Sequence, residues 1–204
     1  MSKSNLIEWA AVAGLIAPIL FAVVVAGLTI AQADFMGTLG WHPLGPVIDW
    51  PSGLALGPYG WLMTVTFFLC GTLMAFFAYG LKLALQDKLG TTLLMIAGFA
   101  MMALIFTTDP TLGTVTKTWH GILHDSFFAV LGLTLMPGML LLGGVFQRRA
   151  EWQDLSNYTW VTLALVIPTF WLKGVAFYVF LLAILTWGVV VALRLKATQQ
   201  VAAY

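Results

Sequence analysis

The sequence predicts an all-α membrane bundle of about six transmembrane helices, and three observations predict it. Of 204 residues, 61% are apolar and only 8% charged, with a mean hydropathy of +0.96. So few ionic groups cannot clothe a water-facing surface, whereas a lipid-facing surface needs none. The apolar residues fall into long runs, most of them near the ~20 residues that cross hydrocarbon. Basic residues segregate to alternate links: Lys3, Lys82, Lys88, Arg148, Arg149, Arg194 and Lys196 share one side, and only Lys117 and Lys173 the other. That bias puts both termini on the cytoplasmic face of the membrane.

The first helix is expected from about Glu8 to Ala31, with Pro18 inside it. Lys3, the apolar run and Ala31-Gln32-Ala33 together resemble a signal peptide. Glu8 in the leading region and the length of the run favour a retained helix. Residues 32–58 are dense in Gly, Pro and Trp and carry Asp34, His42 and Asp49. So many helix breakers predict an ordered capping or re-entrant outer loop rather than a further span. Trp41, Trp50 and Trp61 belong near headgroup level. Helix 2 is expected over 59–85, with Gly71 and Gly80 as points of close approach, and helix 3 over 90–106 after a short polar turn. A second outer loop carries Asp109 and Lys117, which are expected to pair unless Asp109 ends the helix in an Asx turn. Helix 4 follows over 119–146, interrupted at Pro137-Gly138, then helix 5 over 158–172 and helix 6 over 174–193. The tail beyond is expected to fray. No internal repeat is visible, so the sequence lends a duplicated transporter architecture no support.

The composition also excludes functions. A net charge of +1 leaves no basic surface for nucleic acid. Cys70 is the single cysteine, which excludes an intramolecular disulfide and a cysteine-rich metal site. It reads as a small core residue. The centres of the spans are almost wholly apolar, which disfavours an ion path.

The chemistry that remains is a cluster of histidines and aspartates on the outer side. His120 and His124 stand four apart, one turn from each other on one helix face. Such a pair can point two imidazoles at zinc or another divalent metal, which wants three or four ligands. His42 and Asp49, or Asp34, from the first outer loop and Asp109 from the second would complete the set. In a metal-dependent hydrolase of a lipid or amphiphile, Asp109, His120, His124 and Asp125 would form the catalytic group, with Asp125 from the side or behind a ligand. The competing reading is structural: His120 and Asp125 cap and solvate the helix end, while His124 bonds a carbonyl or Asp109. On that reading the protein binds a lipid or another apolar ligand without chemistry, in an aromatic-lined cavity beside metal-free, hydrogen-bonded histidines. Haem between His42 and the helical pair, and a serine nucleophile at Ser126 or Ser52, are poorer fits. No nucleophile-elbow sequence surrounds either serine. The expected partners are bilayer lipids and an apolar small molecule.

Four motifs carry a family resemblance: GPYGWLM entering helix 2, FTTDP after helix 3, WHGILHD opening helix 4, and PGMLLLGGVFQRR closing it. The chain resembles the DUF998 family of integral membrane proteins over about residues 10–193. The likeness implies six or seven helices and supplies no reaction. The family's recurrent elements map onto Pro58, Gly60, Asp109, Pro110, Gly121 and His124, whereas Thr108 and the added His120 depart from its pattern.

Overall fold

The computed structural model describes residues 2–40, 50–110, 116–172 and 175–201. The described residues are helical and contain no strand. Helix α1 spans Lys3–Ala31 and is followed by the short α2, Ala33–Thr38. A 3-10 segment, Pro51–Leu56, leads into α3, Gly60–Leu85. Then come α4, Leu89–Ala103, and α5, Trp119–Gln147. Finally α6 spans Gln153–Phe170 and α7 spans Val175–Val201. Four of these, α1, α3, α5 and α7, are long and apolar enough to cross a membrane, and α4 is a shorter apolar helix. Apolar helices of this length are consistent with a membrane protein.

The six long helices pack in sequence order and close into a ring: α1 on α3, α3 on α4, α4 on α5, α5 on α6, α6 on α7, and α7 back on α1. Every neighbouring pair is antiparallel. Gly14 lies against Phe77 and Gly98 against Ala75, Gly90 faces Gly138, Gly132 meets Phe170, and Gly188 faces Pro18. Asp154 reaches Arg194 across the last pair in the sequence. An even number of alternating helices allows such a ring to close without a mismatched pair.

Local chemistry sets the helix ends. Ser2 caps α1 through the Asn5 amide, at 3.2 Å, so the helix starts five residues before the expected Glu8. Gln86 takes a left-handed conformation, φ 50°, and stops α3, while the Arg149 guanidinium donates to the freed Leu85 carbonyl. The Asp87 carboxylate accepts the Thr91 amide at 2.9 Å and opens α4. Helix α4 ends at Ala103, three residues short of the expected 106, because the chain there must turn toward α5. Helix α6 begins at Gln153 rather than Tyr158. The stretch expected as a polar turn is helical because Asp154, in its first turn, is held by Arg194 at 2.6 and 2.8 Å. The tail expected to fray continues α7 to Val201. Of the segment expected as an outer loop, Ala33–Thr38 and Pro51–Leu56 form short helices; Trp41, His42 and Asp49 lie outside the described residues.

The tryptophans divide as amphipathic rings should. Trp61, Trp119 and Trp171 are exposed at one end of the ring and Trp9 toward the other, while Trp152 and Trp187 are buried. The first three share the end that carries Asp109. Arg148 and Arg149 lie at the opposite end.

Candidate functional site

The site is built where α4 ends early. Beyond Ala103 the chain runs through Phe106 and Thr107 without helical partners for its carbonyls, alongside the first turns of α5. A carbonyl at that depth needs a donor. The two histidines supply it. His120 Nδ1 lies 3.0 Å from the Thr107 carbonyl and 2.9 Å from Thr118 Oγ1. His124 Nδ1 lies 2.7 Å from the Phe106 carbonyl. A carbonyl only accepts, so Nδ1 carries the proton in both rings. The i, i+4 spacing thus fastens two consecutive carbonyls of the link to one face of α5.

Asp109 makes a third fastening. Its carboxylate accepts the Thr118 amide at 2.8 Å and the Thr118 hydroxyl at 2.6 Å. With its proton committed there, the Thr118 oxygen is an acceptor for the Gly121 amide at 3.2 Å, as the N-cap of α5. The Thr118 hydrogen bond, with the amide and the nearby His120 and Lys117 adding to it, holds the Asp109 carboxyl below its ordinary value against a desolvation that opposes it. A β-carbon on Gly121 would collide with Asp109 Oδ2, which explains the glycine. Asp109 therefore does not pair directly with Lys117 as expected. Lys117 is bound to Asp125 at the surface. That ion pair keeps Asp125 on the exposed side of α5, apart from the histidine–carbonyl bonds. Asp34 is exposed in the first turn of α2.

Of the expected metal set, His42 and Asp49 lie outside the described residues. Among the described residues, no three His, Cys, Asp or Glu side chains gather to hold a metal ion. His120, His124 and Asp109 are brought together as the hydrogen-bonded frame of one link.

Beneath this frame the helices line a partly open cavity of 150 Å³. Phe21 and Pro18 of α1, Phe67 and Cys70 of α3, Phe128 and Leu131 of α5, and Leu181 of α7 are among its walls. His124 is buried, with its ring edge against Phe67 at 6.2 Å, so the frame stands directly behind the cavity wall. Cys70 is a wall residue whose thiol reaches the Ala17 carbonyl at 3.3 Å. Phe128, Phe170, Phe177 and Phe180 close the α5–α6–α7 side, with Phe128 stacked on Phe170 at 4.7 Å. Trp50, Pro51 and Ser52 form the roof at the Asp109 end.

A residue that sequence reasoning passed over holds this roof. Gln32 is buried, and its amide nitrogen donates to the Leu54 carbonyl at 2.6 Å. Its amide oxygen accepts the Tyr59 N–H at 3.3 Å. A β-carbon on Gly57 would strike that oxygen. The signal in the sequence was an amide side chain ending a long apolar helix just before a Gly/Pro-rich loop.

Residues that carry the motif likeness fall at these contacts: Gly60 packs against the Ala55 carbonyl, and Asp109, Gly121 and His124 belong to the frame. A family model described as "Protein of unknown function (DUF998)" matches residues 15–196. No curated protein and no solved structure matches the chain. With nearly the whole ring covered by that match, the chain belongs to the DUF998 family.

Proposed function

We propose that this protein binds an apolar ligand, the hydrocarbon chain of a lipid or a related amphiphile, in the cavity at the centre of the helix ring. The observation that carries the reading is the cavity itself: 150 Å³ walled by aliphatic and aromatic side chains from five helices. A dry apolar void of about that size takes up a benzene-sized molecule, so here it suits a short stretch of chain. The polar cluster supports binding rather than reaction. Its carboxylates are committed to Thr118 and Lys117, and both Nδ1 atoms to carbonyls. Its role is to hold the short α4 against α5 behind Phe67, keeping the cavity shaped. The segregation of basic residues supports a topology of six spans with both termini cytoplasmic and the Asp109 end outside.

One observation favours the second reading, a metal-dependent hydrolase of the same class of ligand. With Nδ1–H bonded to carbonyls, both imidazoles carry their lone pair on Nε2, the arrangement that orients metal-ligating histidines. Elemental analysis of purified wild type beside His120→Ala and His124→Ala separates the two. Binding alone predicts equal, negligible metal in all three; stoichiometric metal lost in the variants moves the assignment to the hydrolase.

Binding is tested by photolabelling with a fatty acid carrying a diazirine at its chain terminus. Label on peptides containing Phe67, Leu131 and Leu181 is expected in wild type. Leu181→Trp, which puts a larger ring into the void, should reduce that label several-fold. Label confined to the outer, lipid-facing residues of the same helices would overturn the reading.

A further inference from the structure

The rim of the ring opposite Asp109 carries its charge unevenly. On the half made by α6, α7 and α1, the cations Lys3, Arg194 and Lys196 are matched in number by Glu8, Glu151 and Asp154, and Arg194 is bound to Asp154. On the half made by α3, α4 and α5, Lys82, Lys88, Arg148 and Arg149 stand with a single carboxylate, Asp87. That carboxylate is committed to the Thr91 amide, at 2.9 Å, where it opens α4. Among the described residues none of these four cations forms an ion pair.

The fold gathers the four. Arg149, just past α5, donates to the Leu85 carbonyl where α3 stops, so the ends of the two helices are tied together. Lys82 lies one turn before Leu85, about 5 Å along the axis. Its ammonium donates to Thr92 Oγ1 at 3.4 Å, across the α3–α4 pair. Lys88 is exposed three residues beyond Leu85, at the N-cap of α4, and Arg148 is exposed beside Arg149. Arg149 itself is half-buried, and its bond to Leu85 uses one of five guanidinium donors. Cations held within one turn and one short link repel each other, and an anion among them relieves that repulsion. Apolar surface adjoins them: Leu89, next to Lys88, is exposed, and Leu141 lies beside Gly90 in the α4–α5 seam.

We infer that the α3–α4–α5 half of this rim binds the phosphate of an anionic phospholipid. A guanidinium fork and point-charge ammonium groups together suit phosphate oxygens. Leu89 and Leu141 offer apolar surface to the acyl chains, which a free phosphate would not use. A zwitterionic headgroup would carry its own cation into a region that already holds four. The site stands apart from the central cavity and does not depend on what that cavity holds. It is open at the rim, so its lipid exchanges with the surroundings.

The test is an equilibrium titration. Purified protein in a neutral detergent is titrated with phosphatidylglycerol and, separately, with phosphatidylcholine, and the thermal unfolding midpoint is followed. Phosphatidylglycerol should raise the midpoint saturably, and phosphatidylcholine should not. Lys88→Gln combined with Arg148→Gln removes two exposed cations whose side chains make no hydrogen bond or ion pair among the described residues. That pair should weaken the apparent affinity for phosphatidylglycerol roughly tenfold. Lys3→Gln combined with Lys196→Gln removes the same charge from the other half of the rim and should leave the affinity within about twofold. Equal weakening by the two pairs means a diffuse attraction and overturns the site. An equal rise with phosphatidylcholine, or with inorganic phosphate in place of lipid, overturns the anionic-lipid assignment. No rise with phosphatidylglycerol overturns the whole inference and leaves the cavity reading untouched.

Discussion

Thr118 shows how one side chain can hold a site. Its oxygen caps α5, its proton goes to Asp109, and it receives His120. Thr118→Ala should therefore destabilise the protein by about 1–2 kcal/mol, a cap plus a share of the carboxylate contact, measured as thermal unfolding in detergent. His124→Phe keeps the ring against Phe67 but removes the donor to the Phe106 carbonyl, and should cost about 1–3 kcal/mol. Asp109 adds a pH dependence whose sign follows from its lowered carboxyl. A native value below the ordinary 3.8 means that its contribution is fully present above that value. It is lost as the pH falls below 3.8 through the native value. Asp109→Asn should remove that part of the acid unfolding profile, seen by comparing unfolding of the two proteins as the pH is lowered. The Lys117–Asp125 pair is exposed, and Lys117→Ala should change stability little. At this scale the sequence was only half legible. The spacing of His120 and His124 announced a shared face, but what that face meets depends on α4 ending at Ala103. No periodicity marks that end, because the apolar run continues to Phe106.

The helices were legible because hydrocarbon demands long apolar runs, and the described ones fall within a few residues of their expected bounds wherever caps did not intervene. The exceptions were a cross-helix ion pair, an N-cap and the tail, which continues α7 eight residues past its expected end at 193. Arg194 draws Asp154 into the start of α6, and Ser2 carries α1 back to Lys3. Asp154→Ala should fray the first turn of α6 and leave α7 helical, seen as faster amide hydrogen exchange confined to residues near 153–157. Gly71 and Gly80 were read from sequence as points of close approach, and a β-carbon on either would collide, with Met102 and with Ala10; other glycines carried no such reading. The structure divides the glycines: Gly71 and Gly98 set the α3–α4 distance, while Gly27 and Gly144 touch nothing. Sequence alone cannot tell a seam glycine from a lipid-facing one, since the apolar surroundings are the same on both faces.

Closure of the ring is what the sequence could not show. Nothing in α1 or α7 alone says that they meet, yet their contact converts a row of helices into a vessel with an apolar interior. The charge bias predicts sidedness. In a Cys70→Ala background, Lys117→Cys should react with an impermeant maleimide from outside intact cells and Arg148→Cys should not; equal labelling of the two would contradict the topology. The most direct test of a lipid-holding ring is native mass spectrometry of protein extracted mildly from membranes. Wild type should retain one single-chain or diacyl lipid mass through washing, and Leu181→Trp should release it under the same conditions. Equal retention by both proteins, or none by wild type, would contradict the account.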